Sequence, residues 1–112
     1  MPSKSTKPTD IERLQHMLTA TKKIFRYTAT LNLADYLKNE LVQDAVMKNF
    51  EVIDEASYHL SKELKEGHPN VEWKAIEGFR HVLVHDYYKR LWNTKEQYLP
   101  DLQQNLEIIL AN

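Results

Sequence analysis

Between Gly78 and Arg90 the chain reads GFRHVLVHDYYKR, gathering an arginine, two histidines, an aspartate and two tyrosines around an apolar run, Val82-Leu83-Val84. Histidine is the side chain best matched to proton transfer near neutral pH. Arginine holds a phosphate through a planar fork of donors. Together they suit phosphodiester cleavage, with one group handling the proton of a ribose 2′-hydroxyl and a cation stabilising charge on the phosphorus oxygens. Two other readings fit the same residues. Glu77, His81 and His85 are spaced by four, so on a helix they share a stripe. That stripe could hold a metal ion, or be a solvated helix edge on which Glu77 bonds His81. On one ideal helix Arg80 and His85 point about 140° apart. Convergence on one substrate then requires a bend, a wrapped arginine or a second subunit.

The elements that must carry these residues read as all-helical. The chain has 112 residues with only two glycines, and its apolar residues recur at three- and four-residue spacing. Residues 1–9 form an expected disordered arm and 10–112 a single domain. A capping box at Thr9 and Glu12 predicts the first helix, with Asn32 as its stop. A long second helix is predicted over about 37–65, ended by Gly67 at the position after the helix and by Pro69. Asn70 is the expected cap of a third helix running from about 71 into the tyrosines. The last covers about 91–110, with a kink or a fresh start at Pro100. Four main helices with short connections predict an antiparallel up-and-down four-helix bundle.

Composition excludes several classes. There is no cysteine, hence no disulfide, thiolate zinc site or cysteine nucleophile, and a cytoplasmic location is expected. No apolar run nears the roughly 20 residues of a membrane helix, and no signal peptide is visible. The net charge of −1 does not indicate a general nucleic-acid coat. Residues 1–30 nevertheless carry six Lys/Arg against two Asp/Glu. Lys22, Lys23 and Arg26 are therefore candidates for steering RNA, beside the plainer reading of a solvated helix face.

At the opening stretch the sequence resembles HepT-like toxins of the HEPN superfamily. Arg80, His85 and Tyr87 reproduce their R-x4-H-x-Y motif, and His81 fits the polar residue after the arginine. LVQDAVMKNFEVIDEASYHLSKEL resembles the family's long second helix, HPNVEWKAIEGFRHVLVHDYY its motif region and LWNTKEQYLPDLQQNLEIIL its tail. The resemblance implies an HEPN-like bundle forming a symmetric homodimer whose paired motifs share a cleft. It implies metal-independent endoribonuclease activity, with no cofactor, by 2′-hydroxyl attack that leaves a cyclic phosphate. It also implies a nucleotidyltransferase antitoxin partner of the MNT type, able to transfer AMP to the motif tyrosine, here Tyr87. Arg80 would hold the scissile phosphate and His85 would act as base or acid, with Tyr87, His81 and Asp86 in support. Glu55 could approach from the second helix, and Trp73, Phe79 and Tyr88 are candidate interface residues. In one respect the chain departs from the family: only four residues separate Tyr87 from Trp92, a connection that is often longer. A rival reading keeps the bundle but not the catalysis, as a module that binds the nucleotidyltransferase or a nucleotide.

Overall fold

The computed structural model describes residues 8–80 and 86–112, with only the backbone of Arg80. The described chain is all-α, an up-and-down helical bundle. Its four longest helices are α1 (Asp10–Thr28), α3 (Glu40–Tyr58), α6 (Tyr87–Gln97) and α7 (Leu99–Ala111). Three short helices lie between them: α2 (Leu33–Leu37), α4 (Lys62–Gly67) and α5 (Trp73–Glu77). A single 3-10 turn, Gly78–Arg80, follows α5 directly. Helix α1 packs along α3 and against α7; α3 carries α5, the 3-10 turn and α6 on its other side. No described helix is long and apolar enough to cross a membrane.

Each long helix presents one apolar stripe to this arrangement. Leu14, Met17 and Ile24 of α1 face Val46, Phe50 and Ile53 of α3, and Leu99, Leu102 and Leu106 of α7 complete the centre, all essentially buried. Burial of such stripes, rather than helix propensity, supplies most of the stability of helices this short.

The predicted start of α1 is present as read. Thr9 Oγ1 accepts the Glu12 amide at 3.1 Å, and Glu12 Oε1 accepts the Thr9 amide at 3.1 Å. Only Pro8 and Thr9 of the expected arm are described, and Thr9 is held by this cap. Asn32 begins a helix instead of only stopping one: its Oδ1 accepts the Asp35 amide at 2.8 Å and caps α2. The predicted second helix is thus divided. Leu37 closes α2, and α3 starts after Asn39, whose side chain caps it.

That helix is divided again near residue 60. The Asp10 carboxylate accepts both the Ser61 amide, at 3.0 Å, and the Ser61 hydroxyl, at 2.6 Å. An amide held by α1 cannot continue the α3 ladder. Ser61 therefore caps α4, its Oγ accepting the Leu64 amide at 3.1 Å. Gly67 is the last residue of α4 rather than the residue beyond it, and no glycine has a positive φ. Asn70 does not cap a helix. Its side-chain amide donates to Asn105 Oδ1 at 3.0 Å, and α5 starts two residues later than expected.

The third helix is not continuous. Among the described residues it runs as α5 and the 3-10 turn; residues 81–85 lie outside the described residues, and Asp86, just before α6, adopts the left-handed conformation at φ 56°, ψ 43°. The residues between Tyr87 and Trp92 are the first turn and a half of α6, not a short loop. Of the two possibilities at Pro100, a fresh start is realised: α6 ends at Gln97, Tyr98 forms the junction, and Pro100 sits in the first turn of α7, where its missing N–H costs nothing.

Phe50 lies at the crossing of α3 with the 3-10 turn and is fully buried. Phe50→Ala should lower unfolding free energy by about 3–5 kcal/mol. Ile108→Ala, at a position 54% exposed, should change it by less than about 0.5 kcal/mol. Chemical denaturation of the two variants checks the contrast.

Candidate functional site

The motif begins at the end of a turn fixed in the core. Phe79 is buried, and its ring meets Phe50 edge-on at 4.9 Å and Tyr98 at 5.8 Å between centroids. Arg80 follows immediately. On the far side of the motif Tyr87 opens α6 with its side chain turned inward. Its hydroxyl donates to the Phe79 carbonyl at 2.7 Å. Residues 80–86 are therefore bracketed by one buried hydrogen bond between Phe79 and Tyr87. Phe79 belongs to the core of this chain, which removes it from the expected interface residues. Trp73 and Tyr88 are half-buried, Trp73 donating through Nε1 to the His68 carbonyl at 3.1 Å.

His81 and His85 lie outside the described residues, as does the side chain of Arg80. The proposed Glu77–His81–His85 stripe lies there with them, save Glu77, which is exposed at the end of α5. Among the described residues no group of three or more metal-binding side chains is gathered. The 140° separation of Arg80 and His85 depends on residues 81–85 and on the Arg80 side chain, which lie outside the described residues.

Asp86 is exposed and accepts the Arg90 amide at its backbone carbonyl, at 2.9 Å. Asp is one of the few side chains that enter the left-handed region readily. Arg90 was not singled out by the motif, yet it belongs to this neighbourhood. Its guanidinium lies over Gly78, where an added Cβ would come within 3.0 Å of Nη2. Its buried Nη1 has no partner among the described residues.

Tyr87 also floors a groove of about 500 Å³ between α1 and α3. Arg13 and His16 line it from α1, Lys48 and Glu51 from α3. Val52 and Ala56 supply apolar wall, and Glu55 stands at the edge. Glu55 and Tyr87 line the same groove, while the Arg80 side chain and His85, the site Glu55 was expected to approach, lie outside the described residues. Glu55 Oε1 is also 2.8 Å from His59 Nε2. Lys22, Lys23 and Arg26 lie further along α1 and do not line this groove; the Arg26 guanidinium sits 5.3 Å from the Tyr27 ring centre. Arg13, His16, Lys48 and Glu51 went unnoticed in the sequence. The available signal was spacing, since 13 and 16, and 48, 52 and 56, each fall on one helix face.

Burial first, and the Glu51 carboxylate second, hold the Tyr87 phenol above its ordinary value of 10.0, with Arg90 opposing. Its hydroxyl is therefore protonated at neutral pH and available as a donor. Burial likewise raises Tyr36 and Tyr98 strongly, and Tyr88 to a lesser degree.

The chain matches the family model described as "Ribonuclease HepT-like" over residues 17–109. It belongs to that family, within the HEPN superfamily. A protein of Caldanaerobacter subterraneus named "Putative RNase TTE0752" is 31% identical over 101 residues, covering 87% of this chain and 90% of its own length. "Putative RNase MJ1380" of Methanocaldococcus jannaschii is 28% identical, covering 86% and 92%. "Probable ribonuclease HepT" of Thermococcus cleftensis is 29% identical, covering 84% and 89%. No solved structure matches the chain at a significant level.

A phenol suppressed in the fold contributes stability that is whole below the unfolded value near 10 and is lost as pH rises through the folded value. Tyrosinate absorbance from Tyr36, Tyr87 and Tyr98 should therefore appear only together with loss of helical circular dichroism. Full tyrosine ionisation near pH 10 with helices intact would contradict this inward packing.

Proposed function

We propose that this chain is the toxin of a toxin–antitoxin pair, a metal-independent endoribonuclease acting in the cytoplasm as a homodimer. The observation that carries the reading is the Tyr87–Phe79 hydrogen bond, which fixes the two ends of the segment holding Arg80 and His85. A catalytic pair needs such fixed placement, and a mere adaptor does not. Membership in a ribonuclease family supports the same reading.

In the proposed reaction the ribose 2′-oxygen attacks the adjacent phosphorus and the bond to the 5′-oxygen breaks. The products are a 2′,3′-cyclic phosphate and a 5′-hydroxyl. The 2′-hydroxyl proton leaves to a base, and the departing 5′-oxygen gains one. His85 serves one of these transfers, while Arg80 bonds the phosphate oxygens as their charge grows. Tyr87 positions the segment, and Asp86 and His81 act as supporting residues. Lys22, Lys23 and Arg26 offer positive charge to approaching RNA.

Regulation follows from the same tyrosine. The antitoxin partner is a nucleotidyltransferase that adds AMP to the Tyr87 hydroxyl, forming a phosphodiester and releasing pyrophosphate from ATP. To react, that hydroxyl must leave the Phe79 carbonyl and turn outward. AMP addition then acts twice: it brings phosphate charge to the cleft, and it releases the bond that holds the motif segment closed.

Purified protein should cut RNA in excess chelator, and His85→Ala or Arg80→Ala should lower the rate by at least about 100-fold. No cleavage by unmodified wild type would favour the non-catalytic module. Rescue by a divalent ion after chelation would favour metal chemistry. Co-expression with the nucleotidyltransferase should add AMP mass to wild type and not to Tyr87→Phe; a modified and neutralised Phe variant would show that the acceptor lies elsewhere.

A further inference from the structure

The groove beside Tyr87 contains more than the motif reaction needs. Its walls come from α1 and α3, neither of which carries an R-x4-H residue. Its volume of about 500 Å³ is of the size that takes one nucleotide. The residues are sorted by chemistry. Val52, half-buried, and Ala56, buried, form an apolar wall that ends on the Tyr87 ring. Arg13 and Lys48 stand on opposite helices, one cation on each side. Glu51, exposed on α3 one turn after Lys48, lies close enough to Tyr87 to oppose ionisation of its hydroxyl.

We propose that this groove is a subsite for one nucleotide of the RNA substrate, with a preference for a base that carries an exocyclic amine. Arg13 and Lys48 hold its phosphate from the two sides. The base lies against Val52 and Ala56, with the Tyr87 ring at the end of the slot. Glu51 accepts a hydrogen bond from the exocyclic amine, as carboxylates do from such groups in nucleic-acid recognition. A bare anion would be repelled by Glu51 and Glu55, so the groove selects a nucleotide over phosphate alone. The inference rests on the ribonuclease reading, and its test measures binding rather than cleavage, so that the two fail separately.

Titrating the full-length wild-type chain calorimetrically with AMP, UMP and inorganic phosphate provides the test. AMP should bind more tightly than UMP, which lacks the amine, by at least about threefold, and phosphate should bind more weakly still. Arg13→Glu and Lys48→Glu should each weaken AMP binding about tenfold with little change in thermal melting. Val52→Trp, which fills the slot, should abolish binding, and Glu51→Gln should bring AMP and UMP together. AMP bound equally by wild type and Val52→Trp, phosphate bound as well as AMP, or no AMP binding at all would each overturn the subsite. So would a Val52→Trp variant that changes oligomeric state in a protein that binds no nucleotide, since the groove would then be a subunit interface.

Discussion

The hydrogen bond from the Tyr87 hydroxyl to the Phe79 carbonyl is the constraint on which the site depends. It joins residues eight apart that flank the whole R-x4-H segment. Neither end can drift. Phe79 is wedged edge-on between Phe50 of α3 and Tyr98 at the junction of α6 and α7, and Tyr87 is buried at the start of α6. A buried carbonyl at the end of a 3-10 turn would otherwise lose a partner, at a cost of about 1–3 kcal/mol. The same bond that satisfies the turn also sets the spacing of the motif's ends.

Other features read as consequences. At the entry to α6, Asp86 adopts the left-handed conformation that Asp tolerates. Tyr87 then points back to the core, and Arg90, one turn later, is carried over Gly78. A Cβ at 78 would come within 3.0 Å of that guanidinium, which would have to shift by a few tenths of an ångström. The bundle supplies the frame: Asp10 of α1 grips Ser61, fixing where α3 ends and so where the connection to α5 starts.

Local signals in the sequence were read well and long-range ones were not. The Thr9–Glu12 capping box and Pro100 as a place where the helix kinks or restarts involve residues within a few positions of one another, where spacing and turn chemistry suffice. The end of α3 depends on a carboxylate 51 residues away, which no periodicity announces. Arg80, His85 and Tyr87 were legible only because they form a motif; the left-handed Asp86 before Tyr87 had no signal in the helical spacing. The groove residues Arg13 and Lys48 look like ordinary surface cations until α1 and α3 are packed together. Tyr87 was legible as a polar motif residue, but not as a buried donor, because its partner is a backbone carbonyl.

The inward Tyr87 hydroxyl is what holds the motif in working order. Tyr87→Phe keeps the ring and removes only the donor. RNA cleavage by this variant, compared with wild type at matched helical content and melting behaviour, is the most direct measurement. A fall in kcat/KM of about tenfold or more, with the fold retained, is the predicted result, since small misplacement of catalytic groups is costly. A Phe variant that cuts RNA as fast as wild type would contradict it.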